Sequence, residues 1–157
     1  MQKSILIDTN HLAFLVVGLT NSNYISKHKN LYPVYTSCHF DILLALVQSA
    51  PKIICTAHIL AETSNLLRQI ADPIRTEVMH GFRTFLQMAD EVQIAGRKAT
   101  EAPGFTRLGL ADAAIVSLDP RSVHIVSVDH DLVIEAARNG FDVANLTPFL
   151  HDGAPFA

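Results

Sequence analysis

The sequence predicts an α/β fold in which helices flank a central parallel sheet. Short runs of β-branched and aliphatic residues alternate along the chain with longer stretches whose apolar residues recur at helical spacing. This alternation is typical of a parallel sheet that is covered by helices on both faces. The length of 157 residues suits one domain with a sizeable core. We expect that domain to span residues 1–147, followed by a loose tail at 148–157.

The first part of the chain contains two predicted strands. The apolar run 4–8 is predicted to be a buried strand, and the β-branched run 52–57 is predicted to be a second. Between them, the polar stretch 21–38 contains Pro33 and several Asn and Ser residues, which predicts a long loop or insertion. The stretch 40–50 has apolar residues at i, i+3, i+4 and i+7, so it is predicted to be an amphipathic helix.

The middle of the chain is predicted to be mainly helical. Apolar residues at helical spacing predict a helix at 58–70, and Pro73 separates it from another at 74–90. A short strand is predicted at 91–95. The basic stretch 96–107 is predicted to be a flexible loop.

The last third of the chain alternates again between helix and strand. The stretch 108–118 is apolar nearly all round, which predicts a buried helix. A predicted strand at 123–129 leads into a helix at 130–140, which an Asn-Gly pair ends. The final strand is predicted at 142–146.

The composition narrows the class of protein. No apolar run reaches the roughly 18 to 20 residues that a membrane span needs, and the N-terminal stretch is too short for a secretory signal. Two cysteines do not indicate a disulfide framework, so we expect a cytoplasmic protein. The formal net charge of −3 does not indicate a nucleic-acid-binding protein, although a local basic patch or a bound metal would supply a positive field.

Four carboxylates occupy positions that call for an explanation. Asp8 and Asp129 each end a predicted strand, at the edge of a parallel sheet where ligands bind. Glu62 lies at the margin of the apolar stripe of its helix. Asp112 is the one charge in an otherwise apolar helix, and burial of a lone carboxylate is costly unless it is paired or bound to a metal.

Each acid also has a purely structural explanation. Asp8 suits a turn or a helix N-cap, Glu62 suits a solvated helix boundary, and Asp112 suits a cap if its helix starts late. One of Asp129 and Asp131 is expected to cap the next helix. We assign the cap to Asp131, which leaves Asp129 for chemistry.

Taken together, the four carboxylates predict a cluster that repels itself unless a divalent cation neutralises it. Oxygen ligands suit Mg²⁺ or Mn²⁺, and the eight histidines show no zinc-binding spacing. A carboxylate-held metal is a typical apparatus for cleaving phosphodiesters. In the absence of metal, we expect Asp8→Asn or Asp112→Asn to stabilise the protein, because each removes one of the repelling charges.

Four motifs, in their order and spacing, resemble those of the PIN-domain nucleases, whose prokaryotic members include the VapC-type toxins. The resemblance extends over residues 4–146, and the motifs are ILIDTN at 5–10, TAHILAE at 56–62, LGLADAAIVSL at 108–118 and IVSVDHDL at 125–132. The polar stretch 20–39 is longer than this resemblance leads us to expect.

The resemblance implies a metal-dependent endoribonuclease that uses Mg²⁺ or Mn²⁺ and cleaves RNA with an activated water. Its acidic cluster would be Asp8, Glu62, Asp112 and Asp129, with Asp131 as an auxiliary acid and with polar support from Thr9, Asn10 and Ser127. Asp8, Asp112 and Asp129 would hold the metal. Glu62 would position its water or a second ion. The resemblance also allows an antitoxin protein as partner and a homodimer.

Three basic residues bracket the start of the helix at 108–118 and are candidates for contacts with RNA phosphates, although a solvated loop explains them equally well: Arg97, Lys98 and Arg107. The alternative function is a catalytically weak scaffold of the same fold that binds RNA or protein. A phosphoryl-accepting receiver domain or a haloacid-type phosphatase needs an acidic pair or Asp-x-Asp after the first strand, and the sequence IDTNH provides neither.

Overall fold

A five-stranded parallel sheet forms the centre of the structure, a computed structural model that describes residues 2–31 and 34–149. The strands are β1 (Ser4–Ile7), β2 (Ile53–Thr56), β3 (Asp90–Val92), β4 (Val123–Ser127) and β5 (Asp142–Asn145). Their order in the sheet is β3-β2-β1-β4-β5, and every neighbouring pair is parallel. The predicted α/β class with a central parallel sheet is therefore confirmed.

Helices connect and flank these strands. They are α1 (Thr9–Thr20), α2 (Ser37–Ser49), α3 (Ala57–Leu67), α4 (Ile74–Leu86), α5 (Gly96–Ala99), α6 (Phe105–Leu108), α7 (Leu110–Val116) and α8 (His130–Arg138). Two short 3-10 helices lie at Ser22–Lys27 and Thr147–Phe149. Within the described ranges, none of these helices combines the length and the apolar character that crossing a membrane requires. Of the predicted tail, residues 150–157 lie outside the described residues.

The order of the strands creates a switch point between β1 and β4. After β1 the chain moves to β2 and then β3 on one side, and it later returns to the other side of β1 to form β4 and β5. Ile7 pairs with Val126, so the carboxyl ends of the two central strands lie level with each other. In doubly wound sheets, the crevice beyond such a switch point is where ligands bind.

Helix α1 is the one long helix that periodicity did not predict. Its residues 11–18 are all buried, and the helix packs against α2, α3 and α4. A helix that is apolar all round has no polar stripe, so the spacing of its residues carries no amphipathic signal.

The basic stretch 96–107, predicted to be a flexible loop, instead contains two short helices, and the predicted helix at 108–118 is divided. Gly104 and Gly109 have φ values of 76° and 80°, a region that favours glycine. Each glycine precedes a new helical segment, α6 and then α7. The chain therefore turns at both glycines before α7 begins, and Asp112 lies in the first turn of α7.

The polar insertion at 21–38 is packed against helices α3 and α4. The fully buried ring of His28 forms a hydrogen bond from Nε2 to the backbone oxygen of Leu66, at 2.9 Å. The Tyr24 hydroxyl donates to Glu77 in α4 at 2.6 Å. These contacts bring the insertion back to the body of the domain before α2 begins.

Candidate active site

Two of the predicted acids lie at the switch point of the sheet. Asp8 directly follows β1, and Asp129 stands two residues after the last residue of β4. The backbone N–H of Asp8 donates to the backbone oxygen of Val126 at 3.1 Å, which extends the pairing of the two strands by one residue. Parallel pairing therefore brings these acids to the same edge, as the sequence predicts.

Asp8 is buried, with 6% of its surface exposed, and is the N-cap of α1. Its Oδ1 accepts hydrogen bonds from the backbone N–H of His11 at 3.2 Å and from Nδ1 of the same residue at 3.0 Å. Its Oδ2 accepts a hydrogen bond from the Ser127 hydroxyl. Burial by itself would raise the pKa of Asp8, but the hydrogen bonds and charge of His11 and the hydrogen bond from Ser127 bring it below the ordinary value of 3.8.

Ser127, predicted as a support residue, links the two strand-end acids. Its hydroxyl donates to Asp8 and accepts from the backbone N–H of Asp129 at 2.9 Å. The residue is fully buried at the end of β4. A serine at this position therefore fixes one carboxylate and the backbone that carries the other.

The assignment of the cap of α8 was wrong. Asp129, not Asp131, is the N-cap, because its Oδ1 accepts from the backbone N–H of Leu132 at 2.9 Å. Asp131 lies in the first turn and pairs with Arg107 at 2.8 Å. The strand ends at Ser127, and Asp129 is the last residue with an extended backbone before α8 begins. It therefore has the backbone conformation of an N-cap. Asp129 is exposed and keeps its Oδ2 for other contacts.

Glu62 approaches the same edge from α3. The Thr9 hydroxyl donates to Oε2 of Glu62 at 3.0 Å, so a predicted support residue in the first turn of α1 orients the acid on the neighbouring helix. Glu62 is exposed, as is Asn10, the third predicted support residue. Helices α1 and α3 pack against each other, which keeps Thr9 and Glu62 within hydrogen-bonding distance.

Asp112, in the first turn of α7, is half-buried and is the electrostatic centre of the group. Burial and the surrounding carboxylates raise the pKa of the Asp112 carboxyl from its ordinary value of 3.8 to about 7. Burial contributes most, and the contributing carboxylates, in decreasing order, are those of Asp129, Asp8, Glu62 and Asp131. The charges of all four other predicted acids therefore act on the carboxyl of Asp112.

We call the edge of the sheet that carries the five predicted acids the acidic edge: Asp8, Glu62, Asp112, Asp129 and Asp131. Its carboxylate oxygens are ligands that suit a hard divalent cation, and such a cation would neutralise the like charges. Asp8 offers one free lone pair, on Oδ2, because its Oδ1 already accepts two hydrogen bonds and its Oδ2 accepts one. Among residues 2–31 and 34–149, no three His, Cys, Asp or Glu side chains stand close enough together, as they are oriented here, to hold a metal ion. The side chains that could complete a site with Asp8 are the half-buried carboxyl of Asp112 and the exposed carboxylates of Asp129 and Glu62.

The three predicted phosphate-binding residues fall into two groups. Arg107 donates to Asp131 at 2.8 Å and to the buried Glu135 at 2.7 Å, so its guanidinium is engaged with the protein itself. Arg97 and Lys98 are exposed on α5, which packs against the helix that carries Asp112. Arg97 and Lys98 therefore remain the better candidates for contacts with a polyanion.

Sequence reasoning missed His11 and His39, both fully buried beside Asp8. The spacing of the histidines argues against a zinc motif, but it does not exclude a single histidine bound to a carboxylate. The spacing of Asp8 and His11 is the available signal. It matches the N-cap and third helical positions, which a capping box joins through hydrogen bonds between the side chain of each residue and the backbone N–H of the other.

A cavity of about 400 Å³ lies at the opposite edge of the sheet and is not part of this site. Its lining includes Lys3, His124 and Asp142, near the amino ends of β1, β4 and β5. Lys3 pairs with Asp142 at 2.7 Å and donates to the backbone oxygen of Pro120 at 2.9 Å. Asp8 and Asp129 lie at the other edge, beyond the carboxyl ends of β1 and β4.

No protein-family model matches this chain, and no curated protein is significantly similar to it.

Proposed function

We propose that this protein is a metal-dependent endoribonuclease of the PIN-domain type, with Mg²⁺ or Mn²⁺ bound at the acidic edge. The observation that carries the proposal is the pair of acids Asp8 and Asp129, which Ser127 links at the carboxyl ends of the two central strands. Beside them, burial and four neighbouring acids raise the pKa of the Asp112 carboxyl to about 7. A protein that keeps mutually repelling carboxylates at the ligand-binding edge of its sheet gains from a cation that neutralises them.

The residues of the chain take separate roles in this proposal. Asp8, Asp112 and Asp129 hold the cation, which when bound supplies an activated water and positive charge for the phosphodiester. Ser127 fixes Asp8. Glu62 has Oε2 occupied by a neighbouring hydroxyl, so its Oε1 is available to accept the proton that the attacking water loses.

Single-stranded RNA is the proposed substrate, with Arg97 and Lys98 contacting its phosphates beside the acidic edge. A protein partner that inhibits such an enzyme, as an antitoxin would, is expected to place a basic side chain among the acids. The proposal of a toxin–antitoxin pair is tested by co-purification of the protein with the product of the neighbouring gene. Harmless expression without any partner would argue against a toxin.

The main test is RNA cleavage by the purified protein with Mn²⁺ or Mg²⁺ and with EDTA. We expect cleavage that EDTA stops and that Asp8→Asn and Asp129→Asn each remove almost completely, because each change takes away a ligand charge. Asp142→Asn is the matched control, since it removes one carboxylate at the opposite edge of the sheet, where Asp142 is exposed. Full activity of the Asp129→Asn protein would refute the assignment.

A catalytically weak scaffold that binds RNA or protein is the second candidate function. It is favoured by the spacing of the acids, since among the described residues no three metal-binding side chains converge, and by the hydrogen bonds that already engage Asp8 and Asp129. Gel-shift binding of RNA that is unaffected by EDTA and unaccompanied by cleavage would favour the scaffold over the nuclease.

A further inference from the structure

Two buried histidines form a hydrogen-bonded chain with the carboxylate of Asp8. Nδ1 of His11 lies 3.0 Å from Oδ1 of Asp8, and Nε2 of the same ring lies 3.0 Å from Nε2 of His39. Each histidine is the third residue of its helix, and its backbone N–H is bound by the side chain of the N-cap, Asp8 for one and Thr36 for the other. The two helix caps therefore hold both rings in place from the backbone.

The directions of these hydrogen bonds follow from the chemistry of the groups. An ionised carboxylate only accepts, so Nδ1 of His11 is the donor to Asp8. The contact between the two Nε2 atoms needs one hydrogen, which one of the two rings supplies. The chain of contacts therefore places a hydrogen on Nδ1 of His11 and one hydrogen between the two rings.

Aromatic rings enclose this chain. The ring of Tyr35 packs edge-on against His11 at a centroid distance of 5.3 Å and against His39 at 5.1 Å, and Phe14 stacks on Tyr35 at 4.9 Å. Neither histidine has any exposed surface. Water is thus excluded from both hydrogen bonds, the one between the two rings and the one between His11 and Asp8. This exclusion strengthens the bonds and limits rotation of the rings.

The long polar stretch 20–39 supplies the outer part of this arrangement, because both Tyr35 and His39 lie in it. His28 anchors the same stretch to α3 through the backbone of Leu66. This stretch therefore contacts His11, and His11 in turn binds the carboxylate of Asp8, the residue that follows β1.

We propose that His11 and His39 are positioning residues for Asp8, which hold its carboxylate through the Asp8–His11–His39 chain in the orientation that binds a divalent cation. This inference rests on the proposed function of the acidic edge. With both lone pairs of Oδ1 occupied by His11, the remaining lone pair of Asp8 lies on Oδ2. Groups that orient a metal ligand in this way tune its affinity without touching the metal.

Two substitutions of His39 separate positioning from packing. His39→Phe keeps a ring in the aromatic cluster but removes the hydrogen-bond partner of His11, whereas His39→Gln keeps an amide group that can reach the same nitrogen. Phe40→Leu is the matched control, because it alters the next buried residue of α2 outside the hydrogen-bonded chain. The readouts are the Mn²⁺ dissociation constant from electron paramagnetic resonance of the free ion, the melting temperature, and the ring-nitrogen NMR spectrum of the metal-free protein.

We expect His39→Phe to weaken Mn²⁺ binding by about 10- to 100-fold, and to change the tautomer signals of His11. His39→Gln should restore both, and Phe40→Leu should lower the melting temperature without changing Mn²⁺ affinity. If His39→Phe binds Mn²⁺ as tightly as the wild type, His39 is a core residue and the inference is wrong while the proposed function stands. If the wild type itself fails to bind Mn²⁺, both the proposed function and the role of the chain are overturned.

Discussion

The hydroxyl of Ser127 donates a hydrogen bond to Oδ2 of Asp8, although the two residues are 119 positions apart in the sequence. The bond joins the residue that ends β4 to the residue that follows β1, across the two central strands of the sheet. Because Ser127 is fully buried, this contact is shielded from water and fixes the orientation of the Asp8 carboxylate.

Removal of this hydroxyl should destabilise the fold. In Ser127→Ala, Asp8 loses a donor inside the core and the backbone N–H of Asp129 loses its acceptor, so we expect the free energy of unfolding to fall by about 1–3 kcal/mol. Ser117→Ala is the matched control. Ser117 is the C-cap of α7 and its hydroxyl donates to the backbone oxygen of Ala113 one turn earlier, so we expect a change within about 0.5 kcal/mol. Urea unfolding in EDTA measures both variants, and equal losses would contradict the role given to Ser127.

We expect Arg107 to contribute to the stability of the fold and not to RNA binding. In Arg107→Ala the buried carboxylate of Glu135 loses its closest cation, at 2.7 Å, and keeps a longer contact with Arg138 at 3.9 Å and a hydrogen bond from the amide of Asn139 at 3.0 Å. We expect a loss on the order of 1–3 kcal/mol, less than for a fully buried ion pair because the Arg107 side chain is 40% exposed. Arg138→Ala, a change in a 70% exposed side chain, should cost about 0.5 kcal/mol or less.

Chemical denaturation of the two variants checks this ordering. An Arg107→Ala protein that is as stable as the wild type, but binds RNA more weakly, would restore Arg107 to the phosphate-binding group.

The sheet was predictable from the sequence because each strand carries its own local signal. The alternation of β-branched runs with amphipathic stretches predicts the strand–helix order, and parallel pairing then requires Asp8 and Asp129 to share an edge. Helix α1 was not predictable in this way, since burial on all sides removes the polar face that periodicity detects.

The site was only partly predictable, because its finer arrangement depends on contacts between distant elements. Nothing in the spacing of Asp129 and Asp131 decides which of them caps α8. The end of β4 at Ser127 decides it. Likewise, the pairing of His11 with His39 needs the insertion to fold back onto α1, and no local pattern encodes that path.

The structure separates the expected effects of two substitutions that sequence reasoning treated alike. Without metal, Asp112→Asn should raise the free energy of unfolding by on the order of 1 kcal/mol, because it relieves repulsion at a half-buried carboxyl. Asp8→Asn should instead lower it by about 1 kcal/mol, since the Asp8 carboxylate accepts three hydrogen bonds from His11 and Ser127 and an amide cannot accept all of them.

Thermal melts in EDTA test these opposite signs, and a Mn²⁺ titration extends the test. Wild-type protein should gain about 2.7 kcal/mol when Mn²⁺ exceeds its dissociation constant a hundredfold, and both variants should gain much less. A stabilising Asp8→Asn substitution in EDTA would show that His11 and Ser127 do not favour the charged carboxylate.

The pH dependence of stability in the metal-free protein should report on Asp112. Its pKa is raised by burial and neighbouring acids from 3.8 to about 7, so between these values the folded protein holds a proton that the unfolded chain has released. Stability from this group is therefore present at low pH, falls as pH rises towards about 7 and then levels off. Asp8, whose pKa is lowered, acts oppositely and loses its contribution only below 3.8. Urea unfolding across this range should show the fall in wild type and in the control Asp142→Asn, and a flatter profile in Asp112→Asn. Parallel profiles for all three proteins would mean that Asp112 ionises normally and that the acids do not act on one another.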